Sequence, residues 1–451
     1  MRRSLQFLVL IISFRSAAQT VQDSVALKKM KEEIKKELRE EMRQEQANAT
    51  PTTTPRFDMT NFTFNGYGVM NYYNYKYDTD KNLKNKMDAE RLNLYIGYKY
   101  NSWITFQSEI EFEHGGTGST LELDTQEEFG EYEQEIEAGG EVKLEQAYID
   151  FAINKHFNVR AGRMKIFFGI AQNLDDPDDY FTTTLPEMEN EILPVGWYEN
   201  GIEFHGSFWK DRLLYRAAIT NGLDASGFSS RGWIKEGYQT RFEMVNAESF
   251  AFSARLDYKF GYGDQNFFGL SAYVNDAAAN RPKNDMKETA YVKIVEGHVV
   301  YNMHNWRFNS ILLYGDLENS NIVSRKNAAL ANTLGVKRTP VGKAALGYSA
   351  EVGYDVMHLM NPKSRQMLFP FMRYDFYDTM QAVEGAVVDN PRWERSVITG
   401  GINWFVIPNV IVKAQYSNRR LGSQNIDPST LEYTGERQKE NTFSTGISYI
   451  F

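Results

Sequence analysis

Charged side chains recur at every second position along several short segments, a spacing that suits the filtering of dissolved ions better than bond-making chemistry. In 249–260, Ser253, Arg255, Asp257 and Lys259 share one face, opposite Phe250, Phe252, Ala254, Leu256, Tyr258 and Phe260. In 409–420, Lys413, Gln415, Ser417 and Arg419 oppose Val410, Val412, Ala414 and Tyr416; in 103–113, Thr105, Gln107, Glu109 and Glu111 oppose Ile104, Phe106 and Ile110. Period-two alternation is the mark of a strand with one wet and one apolar face. Extended along the chain, it puts Arg91, Lys99, Arg160, Arg216, Arg255, Lys259, Arg307, Arg373, Arg395, Lys413 and Arg419 on the wet face. Glu109, Glu111, Glu203, Asp257, Glu351, Asp355 and Asp375 share it. Basic residues outnumber acidic ones there, which predicts a weak preference for anions. Neighbours such as Arg255 and Asp257 also fit a purely structural pairing.

Two acidic loops carry further candidate chemistry. Loop 167–198 holds Asp175, Asp176, Asp178 and Asp179, then Glu187, Glu189 and Glu191, punctuated by Pro177, Pro186 and Pro194 and closed by Trp197. That composition predicts an ordered loop. Folded inward, it narrows a pore and opposes the wet-face arginines with a transverse field; lying outward, it decorates a rim. Loop 114–141 carries Glu122, Asp124, Glu127, Glu128, Glu131, Glu133, Glu135, Glu137 and Glu141 without Lys or Arg. Its carboxylates suit weak Ca²⁺ or Mg²⁺ binding, although calcium-loop spacing is absent. The other reading is a solvated flap extending a hairpin. No other cofactor is indicated.

Catalysis has little support. The chain has no cysteine, which excludes disulfides, thiolate metal sites and cysteine nucleophiles, and only six histidines. His205 and Ser207 share a strand face, but two residues in step do not make a nucleophile, a base and an orienting group. A net charge of −9 argues against a nucleic-acid binder.

The elements that must position these residues are strands of about ten residues. Sixteen are predicted, over 61–77, 88–100, 103–113, 142–153, 157–166, 199–209, 212–221, 249–260, 266–275, 289–303, 305–316, 344–357, 367–378, 394–405, 409–420 and 441–451. Tight turns such as Asn101-Ser102, Lys210-Asp211 and His304-Asn305 alternate with long loops. Short turns at one rim and long loops at the other characterise outer-membrane barrels. No apolar run reaches the roughly 18 residues of a membrane helix. Sixteen strands enclose an aqueous channel rather than a filled core. Trp103, Trp209, Trp306, Trp393 and Trp404, near strand ends, suit interfacial girdles.

Ahead of the strands, residues 1–18 read as a signal peptide, with Arg2 and Arg3, an apolar stretch and Ser16-Ala17-Ala18. Residues 19–47 form a helix whose narrow stripe (Leu27, Met30, Ile34, Leu38, Met42) fits either an oligomerising coiled coil or a lone solvated helix. Residues 48–59 are a linker, and 60–451 the barrel. The expected fold is therefore all-β, a 16-stranded antiparallel transmembrane barrel with a short periplasmic N-terminal helix.

Gly162-Arg163-Met164-Lys165-Ile166-Phe167-Phe168-Gly169, following Ala147-Tyr148-Ile149-Asp150-Phe151, resembles the signature of the phosphate-selective porin O/P family. Pro186-Glu187, Trp197-Tyr198-Glu199-Asn200-Gly201 and Thr220 to Phe228 resemble segments of its Bacteroidetes-type members. The resemblance implies a trimeric, general or anion-preferring porin with an inward third loop, and in some members a periplasmic coiled coil. Phosphate channels of the family use a dense arginine ladder with lysines at the constriction. Here the bases are dispersed and the loop is acidic, so the architecture is carried over and the phosphate specificity is not. The expectation is a bacterial outer-membrane porin, not an enzyme, seated in lipid as a homotrimer and passing small hydrophilic solutes or anions by passive diffusion. The alternative is a membrane scaffold or adhesin whose acidic loops bind partner proteins.

Overall fold

The alternation of apolar and polar residues is realised as one closed ring of sixteen antiparallel strands in a computed structural model. The structure describes residues 59–451 except 125–132, 171–173, 195, 240–243, 264, 331–337, 423–424, 427–432 and 435–436. Of the earlier positions it describes Lys36 and Glu40, both helical. The expected signal peptide, nearly all of the N-terminal helix and the linker up to Met59 lie outside the described residues.

The strands are β1 (Phe62–Tyr77), β2 (Lys86–Lys99), β3 (Ile104–Asp124), β4 (Glu133–Asn154), β5 (Phe157–Lys165), β6 (Tyr198–Phe208), β7 (Leu213–Asn221) and β8 (Phe250–Lys259). They continue as β9 (Phe267–Asp276), β10 (Tyr291–Met303), β11 (Trp306–Leu317), β12 (Ala344–Tyr354), β13 (Met367–Ala382), β14 (Glu394–Ile407), β15 (Val410–Leu421) and β16 (Lys439–Ile450). Each pairs with its sequence neighbours, and β16 returns to β1. The seam closes through Phe451, whose N–H donates to Gly66 O (2.8 Å) and whose carbonyl accepts from Gly66 N–H (3.0 Å). Closure leaves no unpaired barrel edge in the hydrocarbon. The main departure in length is β3–β4, which pair on beyond the barrel to Asp124 and Glu133. The side chains of 117–139, and with them the expected cation-binding carboxylates of loop 114–141 other than Glu141, lie outside the described residues; Glu141 pairs with Lys143 at 2.7 Å.

Facing follows the pattern. Leu270, Leu312 and Phe252 are 68%, 56% and 54% exposed on the outer surface, whereas Arg255, Glu351 and Lys413 are 5% or less exposed on the inner one. The short rim is built from tight turns. His304 and Asn305 link β10 to β11 with φ of +55° and +66°, a two-residue turn whose twist matches that of the strands it joins. Trp103, Trp209, Trp306 and Trp404 are exposed near this rim, as a girdle requires. Trp393 differs: it lies at the other rim, beneath the guanidinium of Arg395 at 5.0 Å. The long loops carry two helices, α1 (Glu187–Ile192) and α2 (Ser320–Ala328).

Leu312 sits mid-strand on the outer surface, so Leu312→Arg places a charge against lipid. We expect it to cost about 2–4 kcal/mol if Leu312 lies near the midplane, read as a lower urea midpoint for unfolding from lipid vesicles. An unchanged midpoint would contradict the assignment of that face.

Candidate functional site

The segment between β5 and β6 crosses the lumen and is held by the wall residues that alternation turned inward. Its base is closed by Ile166 N–H donating to Trp197 O (2.8 Å). From there Gly169 O accepts from Arg255 Nη1 (2.5 Å) on β8, and Gly169 N–H donates to Glu296 Oε1 (3.2 Å) on β10. Arg307 on β11 donates to Asp178 O (2.8 Å), and the Lys413 ammonium on β15 to Tyr180 O and Thr182 O (2.8 and 3.0 Å). Thr183 reaches the far side: its N–H donates to Gln415 Oε1 (2.9 Å), its hydroxyl meets Ser444 Oγ (2.9 Å), and its carbonyl accepts from Asn71 Nδ2 (3.1 Å). One loop thus ties β8 and β10 to β15, β16 and β1.

Asp175, Glu187 and Glu191 of the loop pair directly with bases. Arg419 grips Glu187 with two bonds (2.6 and 2.7 Å), Tyr377 OH adds a third (2.6 Å), and Arg395 lies 3.4 Å from Glu191. Asp175 accepts from Lys165 (2.7 Å), and Asp176 from Tyr95 OH (3.3 Å). Glu189 is buried and receives the N–H of Ile170 (2.8 Å). The sequence suggested carboxylates facing arginines across open water. The structure replaces that field, at Glu187 and Glu191, with contacts that consume both partners.

Two glycines make room for this loop. A Cβ on Gly347 would fall 2.4 Å from Met188 Sδ, and one on Gly353 2.5 Å from the Phe181 ring. Both lie on the inner face of β12, and Phe181 also stacks on Phe371 of the neighbouring β13 with centroids 5.2 Å apart. Sequence reasoning missed these pits, and it missed a second inward loop. Phe228, Trp233 and Ile234 from the β7–β8 connection are fully buried and join Phe168, Met188, Ile192 and Trp197 in an apolar cluster against β9–β14.

Most of the remaining predicted lining residues are structural or peripheral, whereas Arg91 and Glu111 line a cavity on the long-loop side. Arg160 bonds Asp150 (3.0 Å), Arg216 bonds Glu203 (2.9 Å), and Arg373 bonds Asp375 (2.7 Å) with Glu351 at 3.5 Å. Arg91 lies near Glu90 and Glu111 at 3.6 and 3.9 Å. Lys259 is half-buried and Lys99 is exposed, each at the short-turn end of its strand. His205 Nε2–H donates to Asp150 (3.0 Å), which Arg160 already holds, and Ser207 turns to Asp211 and Lys155 O. No nucleophile–base pair forms between them.

Two spaces flank the loop. On the long-loop side lies a cavity of about 970 Å³ reached by Tyr75, Glu90, Arg91, Lys143, Glu145 and Arg419. On the short-turn side a space of about 20 Å³ lies among Asp179, Phe181, Asn302 and Arg307. Segment 175–184 contributes to the walls of both. Asp176, Asp178 and Asp179 bring carboxylate oxygens within 4.8 Å of one another, the single grouping with metal-binding spacing among the described residues. Burial, then the neighbouring Asp178, Asp176 and Asp175, push the Asp179 carboxyl up to about 8. Asp176 rises to about 6, from burial and then from Asp175 and Asp178. Glu187 goes the other way. Burial would raise it, but Arg419 overrides that and holds it below the ordinary carboxylate range.

Asp179 therefore gives a signed prediction. Its folded value of about 8 exceeds the unfolded value near 3.9. Between about pH 4 and pH 8 the folded state retains a proton that the unfolded chain has released, so this group lowers stability as pH rises through that window. Asp179→Asn keeps the side chain neutral. Relative to wild type, the variant should gain urea resistance progressively from about pH 5 to about pH 8; a constant difference across that range would contradict the assignment.

Comparison with known proteins agrees with this geometry. Residues 61–297 match the family of phosphate-selective porins O and P. An uncharacterized protein of Aquifex aeolicus is 27% identical over 354 residues, covering 78% of this chain and 74% of that protein. Among solved structures, the anion-selective porin from Comamonas acidovorans superposes with a TM-score of 0.50 at 9% identity, over 86% of this chain and 99% of that one. The outer membrane channel DcaP of Acinetobacter baumannii gives 0.49 at 10% identity, over 86% and 97%. The match covers more than half of the sequence and falls on the ring that the strands close: the chain belongs to the phosphate-selective porin O and P family, and is an outer-membrane porin for passive diffusion.

Proposed function

We propose that small hydrophilic solutes enter through the long-loop cavity, pass the 175–184 segment as the constriction, and leave at the short-turn rim. The observation that carries this reading is the position of that segment between the two spaces, held by Arg307 on β11, Lys413 and Gln415 on β15 and Asn71 on β1. The long loops face the cell exterior and the short turns the periplasm, as in other barrels of this kind. Solutes then move down their gradients without a catalytic step.

The charge left facing the path is acidic. Eight carboxylates (Asp88, Glu90, Glu111, Glu113, Glu141, Glu145, Asp175, Glu187) line the outer cavity against five bases (Lys86, Arg91, Lys143, Arg163, Arg419). The basic excess counted along the wet face does not reach this cavity, because Arg255, Arg307, Arg395 and Lys413 are spent on the loop. Our reading is a weak preference for cations. In the same reading the barrel is a homotrimer, and residues 19–47 form the periplasmic coil suggested by their apolar stripe. Weak Ca²⁺ or Mg²⁺ binding at loop 114–141 remains a proposal on the carboxylates of the sequence.

One experiment addresses these points. In planar bilayers the full chain should conduct, close in three equal steps, and give a reversal potential of the sign set by K⁺ under a KCl gradient. Deleting 21–46 should remove the threefold steps. An anion-directed potential would overturn the charge assignment, single-step closure the trimer, and absence of conductance would favour the scaffold alternative.

A further inference from the structure

The outer cavity contains an arrangement that ion conduction does not require. On β1, Tyr73, Tyr75 and Tyr77 point into the lumen as a column, with ring centroids 5.8 and 5.4 Å apart. Strand register places a second and a third column beside it. Tyr73 lies opposite Ser444, which lies opposite Gln415; Tyr75 opposite Thr442, then Ser417; Tyr77 opposite Glu440, then Arg419. The result is three rungs, each an aromatic ring followed by two hydrogen-bonding groups. Successive rungs are about 7 Å apart along the strands.

We propose that this wall is a recognition site for neutral sugars, taken up ring by ring along the tyrosine column on their way to the constriction. The inference rests on the porin reading above and names its solute class. A sugar ring offers patches of C–H and a rim of hydroxyls, each both donor and acceptor. Tyrosine suits it, having a large apolar body and a polar tip. Gln415 and Ser444 already hold Thr183, and Arg419 holds Glu187 and Glu440, so the rung beside Tyr75 carries the site: Thr442 and Ser417 each bond one hydroxyl (Tyr77, Thr399) and keep further capacity, which a polyol satisfies and a single-sign ion does not. An anion would meet the excess of carboxylates around the cavity, whereas a neutral sugar meets the tyrosine column without regard to that charge. Tyr73 OH is engaged by Glu90 (2.8 Å) and Tyr77 OH by Thr442 (3.1 Å). The hydroxyl of Tyr75, between them, has no protein partner among the described residues and faces the cavity.

The test is block of KCl current through the full chain in planar bilayers, each channel normalised to its own open current. Maltotriose is the probe; a polyethylene glycol of the same mass, inorganic phosphate and spermidine are the comparisons. Maltotriose should block saturably and at the lowest concentration of the four. Tyr75→Ala should raise its half-blocking concentration by about tenfold, the scale of one lost aromatic contact, while Tyr75→Phe should stay within about threefold of wild type. Equal block by the polymer, stronger block by phosphate or spermidine, or an unchanged half-blocking concentration in Tyr75→Ala would overturn the proposal. A conducting channel that maltotriose does not block overturns this inference alone; a channel silent in KCl overturns the porin reading with it.

Discussion

A barrel in lipid must turn its charged residues inward, and inward charges crowded on neighbouring strands need partners. Much of this structure follows from how that demand is met. Some bases find acids on their own or the next strand, as Arg373 does with Asp375 and Arg160 with Asp150. Arg395 and Arg419 find them at Glu191 and Glu187, on a loop that leaves β5 and crosses the ring, while Arg255, Arg307 and Lys413 hold carbonyls of the same loop. Breaking such a pair would strand a charge in a confined site, which is costly even though forming it gains little over an apolar contact. The loop is therefore held in place by the same charges that made the wall a lumen wall.

The crossing divides the interior unevenly. Toward β9–β14 the two inward loops meet the wall in an apolar cluster containing Trp197, Trp233 and Phe228, all fully buried. Toward β1–β4 and β15–β16 the wall keeps tyrosines, hydroxyls and charges facing an open cavity. In the proposed reading, conduction belongs to the second half. The first acts as packing that stiffens the loop from behind, with the glycines of β12 receiving Met188 and Phe181.

The ring itself was legible because lipid and water impose period two on every strand. All sixteen spans read from the sequence overlap the observed strands, and residues such as Arg255 and Lys413 face as the alternation requires. The site was legible only in outline. The acids of 167–198 pointed to an inward loop, yet Glu187 and Arg419 lie 232 residues apart, and no local pattern reports such a pairing. Glycines 347 and 353 resemble any strand glycine until Met188 and Phe181 are seen above them. The alternate tyrosines of β1 were visible as letters, but their meaning depended on register with β15 and β16. The expected anion preference rested on a count of bases along the wet face, and the loop occupies several of those, Arg255, Arg307, Arg395 and Lys413 among them.

The central claim is that the loop rests across the lumen in the conducting channel, anchored at Thr183 to the β15–β16 wall. The chain has no native cysteine, so a paired substitution, Thr183→Cys with Ser444→Cys, reports on that contact without background. A disulfide should form readily in the folded protein, and single-channel conductance should be the same before and after reduction. Failure to cross-link, or a conductance that rises on reduction, would mean that the working pore holds this loop elsewhere.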